Sequence, residues 1–169
     1  MSGPLLVASV LLVGAGLAKF VRPHDTARAF RRAGLPVGRG PHVVRAVAGL
    51  EAMVGIAGIT IKGPIAPLAV AASYACFAAF LAVALGRGWA LSSCGCFGEP
   101  DTPPSTLHVT VDVLLAAGAA AGAPAGQSPL GAALTRPLWG AALFGVAIVT
   151  AGLAYLVLAR LPQLKVASS

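Results

Sequence analysis

The stretch Pro64–Gly86 reads "PIAPLAVAASYACFAAFLAVALG" and carries no Asp, Glu, Lys or Arg. A helix needs about 20 mostly apolar residues to cross a bilayer, because a lipid-exposed backbone must satisfy its own hydrogen bonds. This run meets that length without a charge. Working outward, runs of the same kind fall at 3–21, 43–61, 106–123 and 138–159. The second holds Arg45 and Glu51, and the fourth is short and holds His108 and Asp112. The first lacks a positive residue before its apolar core, and Lys19 follows that core. It therefore reads as a retained helix rather than a secretory signal.

Composition agrees with the runs. Only 10% of the 169 residues are charged and 57% are hydrophobic, whereas an average soluble domain carries roughly 25% charged residues. Mean hydropathy is +0.87. The formal charge of +7 does not indicate nucleic acid. The basic residues lie between hydrophobic runs, where they set membrane orientation. The expectation is an all-α, multi-pass integral protein of the cell membrane, with lipid as its first partner.

With the N-terminus outside, Arg22, Arg28, Arg31, Arg32, Arg39, Arg87, Arg160 and Lys165 fall on the inner side. Only Lys62 and Arg136 fall outside. That bias predicts cytoplasmic placement of the connection between spans three and four. In the first connection, "DTARAFRRAGL" has the pattern of a short amphipathic surface helix. Asp25 or Thr26 is its expected cap and Gly34 its expected end. The "KGP" connection at 62–64 makes spans two and three a tight antiparallel hairpin. The Gly/Pro-rich 123–137 reads as a plain external loop. Ala48, Ala52 and Gly55 on span two, and the GxxxG pattern Gly118–Gly122, offer small faces on which helices can approach closely.

The chemical interest lies in "SSCGCFGEPDTPP", residues 92–104. Cys94 and Cys96 flank Gly95, and Phe97-Gly98 follow. The two glycines permit the tight, positive-φ turn that brings such cysteines together. A disulfide requires Cα atoms about 4.4–6.8 Å apart, so a Cys-Gly-Cys turn closes one only with strain. Strained, exposed disulfides are the easily reduced, catalytic kind. Two thiolates also suit a soft ion such as Cu(I) or zinc, but the remaining candidates, Cys76 and His108, stand at no standard zinc spacing. A structural turn is the third reading. Cys76, in mid-span, reads as a small buried apolar residue. No cofactor motif is legible and no resident metal is assigned.

Lys19, Arg45, Glu51, His108 and Asp112 are all nearest the membrane face that carries the Cys-Gly-Cys connection. Ionisable groups in a membrane are costly, and they pair or line a cavity. One reading is a polar pocket beneath the cysteines. There Glu51 or Asp112 would move protons, and Lys19, Arg45 or His108 would favour a thiolate. The other is that Glu51 pairs with Lys19 or Arg45 only to hold helices together. His108 by itself reads as an interfacial polar residue.

"SSCGCFGEP" before a helix, "GAGLAKFVRP" ending span one and "RAVAGLEAMVGI" in span two together resemble the MauE group, which is similar to DoxX-like membrane proteins. The likeness covers about residues 5–120. It implies a four-helix transmembrane bundle, here residues 1–125, followed by a loop and an additional C-terminal span in 126–169. It also implies a link to methylamine utilisation. In that group MauE is thought to help process, transport or mature the small disulfide-rich subunit of methylamine dehydrogenase, and the wider group is redox-associated beside thioredoxin-like partners. By this resemblance Cys94 and Cys96 would be the working pair of a thiol–disulfide oxidoreductase or redox helper serving an exported protein. Where the family often has a basic–amide pair after the aligned His, this chain has Val111-Asp112. The fifth span lies outside the likeness. Export-side disulfide work calls for cysteines on the outer face, whereas the charge bias places them inside.

Overall fold

The computed structural model describes residues 3–32, 40–88, 105–126 and 128–167, all helical apart from short connections. Five helices are long and apolar enough to cross a membrane. They are α1 (Gly3–Val21), α3 (Pro41–Thr60), α4 (Ile65–Gly86), α5 (Thr106–Ala120, continued by a 3-10 turn at Ala123–Ala125) and α7 (Pro137–Ala167). In α7 the qualifying segment is Pro137–Ala154. Two short helices, α2 (Pro23–Arg32) and α6 (Pro129–Thr135), lie between spans.

Helix α1 is the hub. It packs on α3, α5 and α7, while α4 packs chiefly on α5. This central position explains why Leu5, Leu6, Ala8, Ser9, Leu11, Leu12, Ala15, Gly16 and Lys19 are all buried. The core joins Leu5, Ala8 and Leu12 of α1 to Val70 and Tyr74 of α4 and Ala119 of α5. Tyr74 Oη donates to the Ala8 carbonyl at 2.8 Å, which satisfies a buried hydroxyl. Apolar side chains such as Met53, Leu114 and Val149 point outward and are exposed, as expected of a surface that meets lipid rather than water.

Lipid is as apolar as the helices, so association rests on close approach and interhelical hydrogen bonds. The sequence supplies the means. A Cβ at Gly16 would stand 2.7 Å from the Ala48 carbonyl oxygen and 2.8 Å from the Ala52 nitrogen. At Gly55 it would stand 2.8 Å from the Ser9 carbonyl oxygen. Ala48, Ala52 and Gly55 are therefore the face of α3 that meets α1. Gly118 and Gly122 of the GxxxG pattern lie over Pro4 and Leu5. The C-terminal half of α5 thus packs against the N-terminal half of α1, and the two run antiparallel.

Some expectations are corrected. Helix α2 begins at Pro23, two residues before the expected cap, because proline is well suited to a first helical position and Arg22 alone separates it from α1. Its expected end at Gly34 lies outside the described residues. The supposed plain loop contains α6, which starts on a Ser128-Pro129 pair with Ser128 Oγ accepting from the Gly131 N–H at 3.1 Å. That cap was legible. Cys76 is exposed on the outside of α4 rather than buried. The helix is apolar on all sides, so its sequence does not reveal which side the bundle covers.

Candidate functional site

Alternating spans place the C-termini of α1 and α4 and the N-termini of α3 and α5 at one end of the bundle. Helix α4 ends at Gly86 and α5 starts at Thr106, so the 89–104 connection joins them at this end. Cys94, Gly95, Cys96, Phe97 and Gly98 lie outside the described residues.

Lys19 stands in the last turn of α1, where the helix dipole favours a cation. Its side chain turns inward and is buried, with 7% of the residue exposed. Lys19 Nζ donates to Glu51 Oε2 at 2.6 Å. It also lies 4.8 Å from the centroid of the Phe77 ring of α4, within the range of a cation–π contact. Glu51 is equally buried and sits ten residues into α3, about 15 Å along its axis. A carboxylate and a ring face thus replace the water that the ammonium loses.

Arg45 does not join this pair. It precedes Glu51 by six residues, which turns it by roughly 120° around α3. It is exposed, and its Nε donates to the Phe20 carbonyl at 3.4 Å, at the C-terminal end of α1, where carbonyls lack intrahelical partners.

His108 and Asp112 are four residues apart, on one face of α5, and both are buried. His108 stands in the first turn of α5 and is covered by the protein, with 2% of the residue exposed. Its Nδ1 lies 2.9 Å from Ser105 Oγ. Because Gly118 meets Pro4, stepping back along α5 puts Asp112 about 9 Å and His108 about 15 Å deeper toward the connection end. With Gly122 over Leu5 as the second anchor, Asp112 lies level with α1 between Val10 and Ala15, and His108 between Gly14 and Lys19. The Lys19 side chain reaches back toward the N-terminus of its helix, as long helical side chains do. Both polar groups therefore occupy the same half of the bundle, one on the α1–α3–α4 side and one on α5.

Phe77 and Ser105 were not singled out from the sequence. Ser105 had a signal, standing three residues before a histidine at a helix start. Phe77 had none, since the pairing is decided by how α4 sits against α1. Among the described residues no three metal-capable side chains cluster.

These features define a multi-pass integral membrane protein with a buried ion pair and a buried His/Asp face toward one end of its bundle. Residues 3–125 match the family model described as methylamine utilisation protein MauE, and the chain belongs to that family. Membership points to a membrane protein of methylamine utilisation. No curated protein and no solved structure matches the chain.

Proposed function

We propose that the protein is a membrane thiol–disulfide redox protein that uses Cys94 and Cys96 to assist disulfide formation and maturation of an exported partner. The observation that carries the reading is the Cys-Gly-Cys sequence in the connection between α4 and α5. In this MauE-family chain, that connection adjoins the bundle end toward which Lys19, Glu51, His108 and Asp112 are buried. A cation near a cysteine lowers its pKa, and the thiolate is the reacting form. The proposed working unit is residues 1–125, with 126–169 adding a loop and a further helix.

The exchange balances as follows. A partner thiolate attacks one sulfur of the Cys94–Cys96 disulfide and releases the other as a thiolate, which forms a mixed disulfide. The second partner thiolate attacks the partner's sulfur in that bond. The partner leaves oxidised by two electrons, and the Cys94/Cys96 dithiol remains, holding those electrons and two protons. A thioredoxin-like disulfide protein then takes the electron pair by the reverse sequence and restores the disulfide. Lys19 and His108 would favour the thiolate, and Glu51 or Asp112 would accept or return the proton.

Single Cys94→Ser and Cys96→Ser variants test this. Expected is a partner adduct, cleaved by dithiothreitol, in one variant and loss of partner maturation in both. Full maturation with both variants refutes the proposal. Labelling of intact cells with a membrane-impermeant maleimide, on a Cys76→Ser background, addresses the side of the membrane. Labelling only after mild reduction marks an oxidised pair on the outer face. Labelling only after permeabilisation matches the positive-inside bias and makes the pair a relay of electrons from the cytoplasm.

A further inference from the structure

Helices α1 and α7 touch near Gly3 and Leu143 and leave a groove of about 660 Å³ farther along, within the size range of small-molecule sites. Its wall includes Val10, Gly14, Leu17, Ile148 and Gly152, and it ends at Arg22. The groove is open at its glycines. A Cβ at Gly14 or at Gly152 would meet nothing within 4 Å. Among the described lining residues, all but Arg22 are apolar or glycine.

From Val10 to Arg22 is twelve residues, about 18 Å of helix, against roughly 15 Å for the hydrocarbon half-thickness of one leaflet. The groove thus runs from mid-membrane to one interface and meets a guanidinium there. Helix α2 begins in the next residue and carries Arg28, Arg31 and Arg32. Arg22 and Arg31 are both exposed. Arg22 thus gives the groove one guanidinium at its end, and the described remainder of the wall is apolar or glycine.

From these features we propose that the α1–α7 groove binds one anionic phospholipid, an acyl chain lying along Gly14 and Gly152 and the phosphate on Arg22. Guanidinium groups suit phosphate because they donate in a planar fork. The matched length separates this from general lipid contact: the groove holds a single-leaflet chain whose headgroup faces the arginine-rich side. No step of the thiol chemistry is involved, so the site stands or falls independently of it.

The test is native mass spectrometry of the full-length protein, delipidated in mild detergent and titrated with dioleoyl phosphatidylglycerol or dioleoyl phosphatidylcholine. The two lipids differ only in the headgroup. Expected is one tightly retained phosphatidylglycerol per chain, in preference to phosphatidylcholine. Arg22→Ala should weaken retention about fivefold, the contribution of one basic residue at an anionic surface. Gly14→Leu should abolish it by filling the groove. Gly145→Leu, placed where a Cβ also meets nothing within 4 Å but outside the groove wall, should leave it intact. Circular dichroism on each variant checks that the helices persist. Equal retention of the two lipids overturns the proposal, as does phosphatidylglycerol binding unchanged by both Arg22→Ala and Gly14→Leu. Recovery from the untreated protein of a neutral isoprenoid lipid in this groove, insensitive to Arg22→Ala, also overturns it.

Discussion

Removing Lys19 should expose the energetic cost of the buried pair. In Lys19→Met the Glu51 carboxylate stays at 7% exposure and loses its 2.6 Å partner. Breaking a buried pair by removing one member costs about 3–5 kcal/mol, and a charge at the centre of a membrane helix costs about 3 kcal/mol. A loss of about 3 kcal/mol is expected, or a folded-to-unfolded ratio lower by roughly 150-fold. Glu51→Gln should be milder, about 2 kcal/mol. The amide oxygen still accepts from Lys19, and the Phe77 ring at 4.8 Å still faces the ammonium. The double variant Lys19→Met/Glu51→Gln buries no charge and leaves one unpartnered amide, so it should lose about 2 kcal/mol. The cycle then gives a coupling near 3 kcal/mol, at the upper end for contacting residues. The assay is reversible unfolding in mixed micelles by increasing the SDS mole fraction, followed by circular dichroism. Additive losses, with the double variant down by about 5 kcal/mol, would refute the reasoning, as would single variants within about 0.5 kcal/mol of the parent.

Two further outcomes follow from packing. Gly16→Val forces a side chain against the Ala48 carbonyl oxygen 2.7 Å from its Cβ. It should cost about 3 kcal/mol or prevent folding, whereas Gly14→Ala, two residues away and facing open space, should stay within about 0.5 kcal/mol; thermal unfolding compares them. Tyr74→Phe removes the 2.8 Å bond to the Ala8 carbonyl and should cost about 1 kcal/mol in the same micelle titration.

The five spans were legible because hydropathy over a membrane's width is a property of the local chain. Helix α4 matches its charge-free run within one residue. Lys19, Glu51, His108 and Asp112 were legible for a related reason, since ionisable groups within such runs are rare and costly. The exclusion of Arg45 was less accessible. It follows from a rotation around α3 that matters only once α1 fixes which side of α3 is inside.

What the sequence determined on its own was the membrane class, the number and approximate positions of the spans, the lopsided basic charge and the short list of polar intruders. All of these depend on residues close along the chain. The tertiary structure decided that Lys19 rather than Arg45 meets Glu51, that Phe77 completes the ammonium's surroundings, and that Cys76 faces outward. It also opened the groove between α1 and α7. Helix α4 is apolar all round and carries no mark of its buried side, so its packing on α5 and α1 settles which face turns inward.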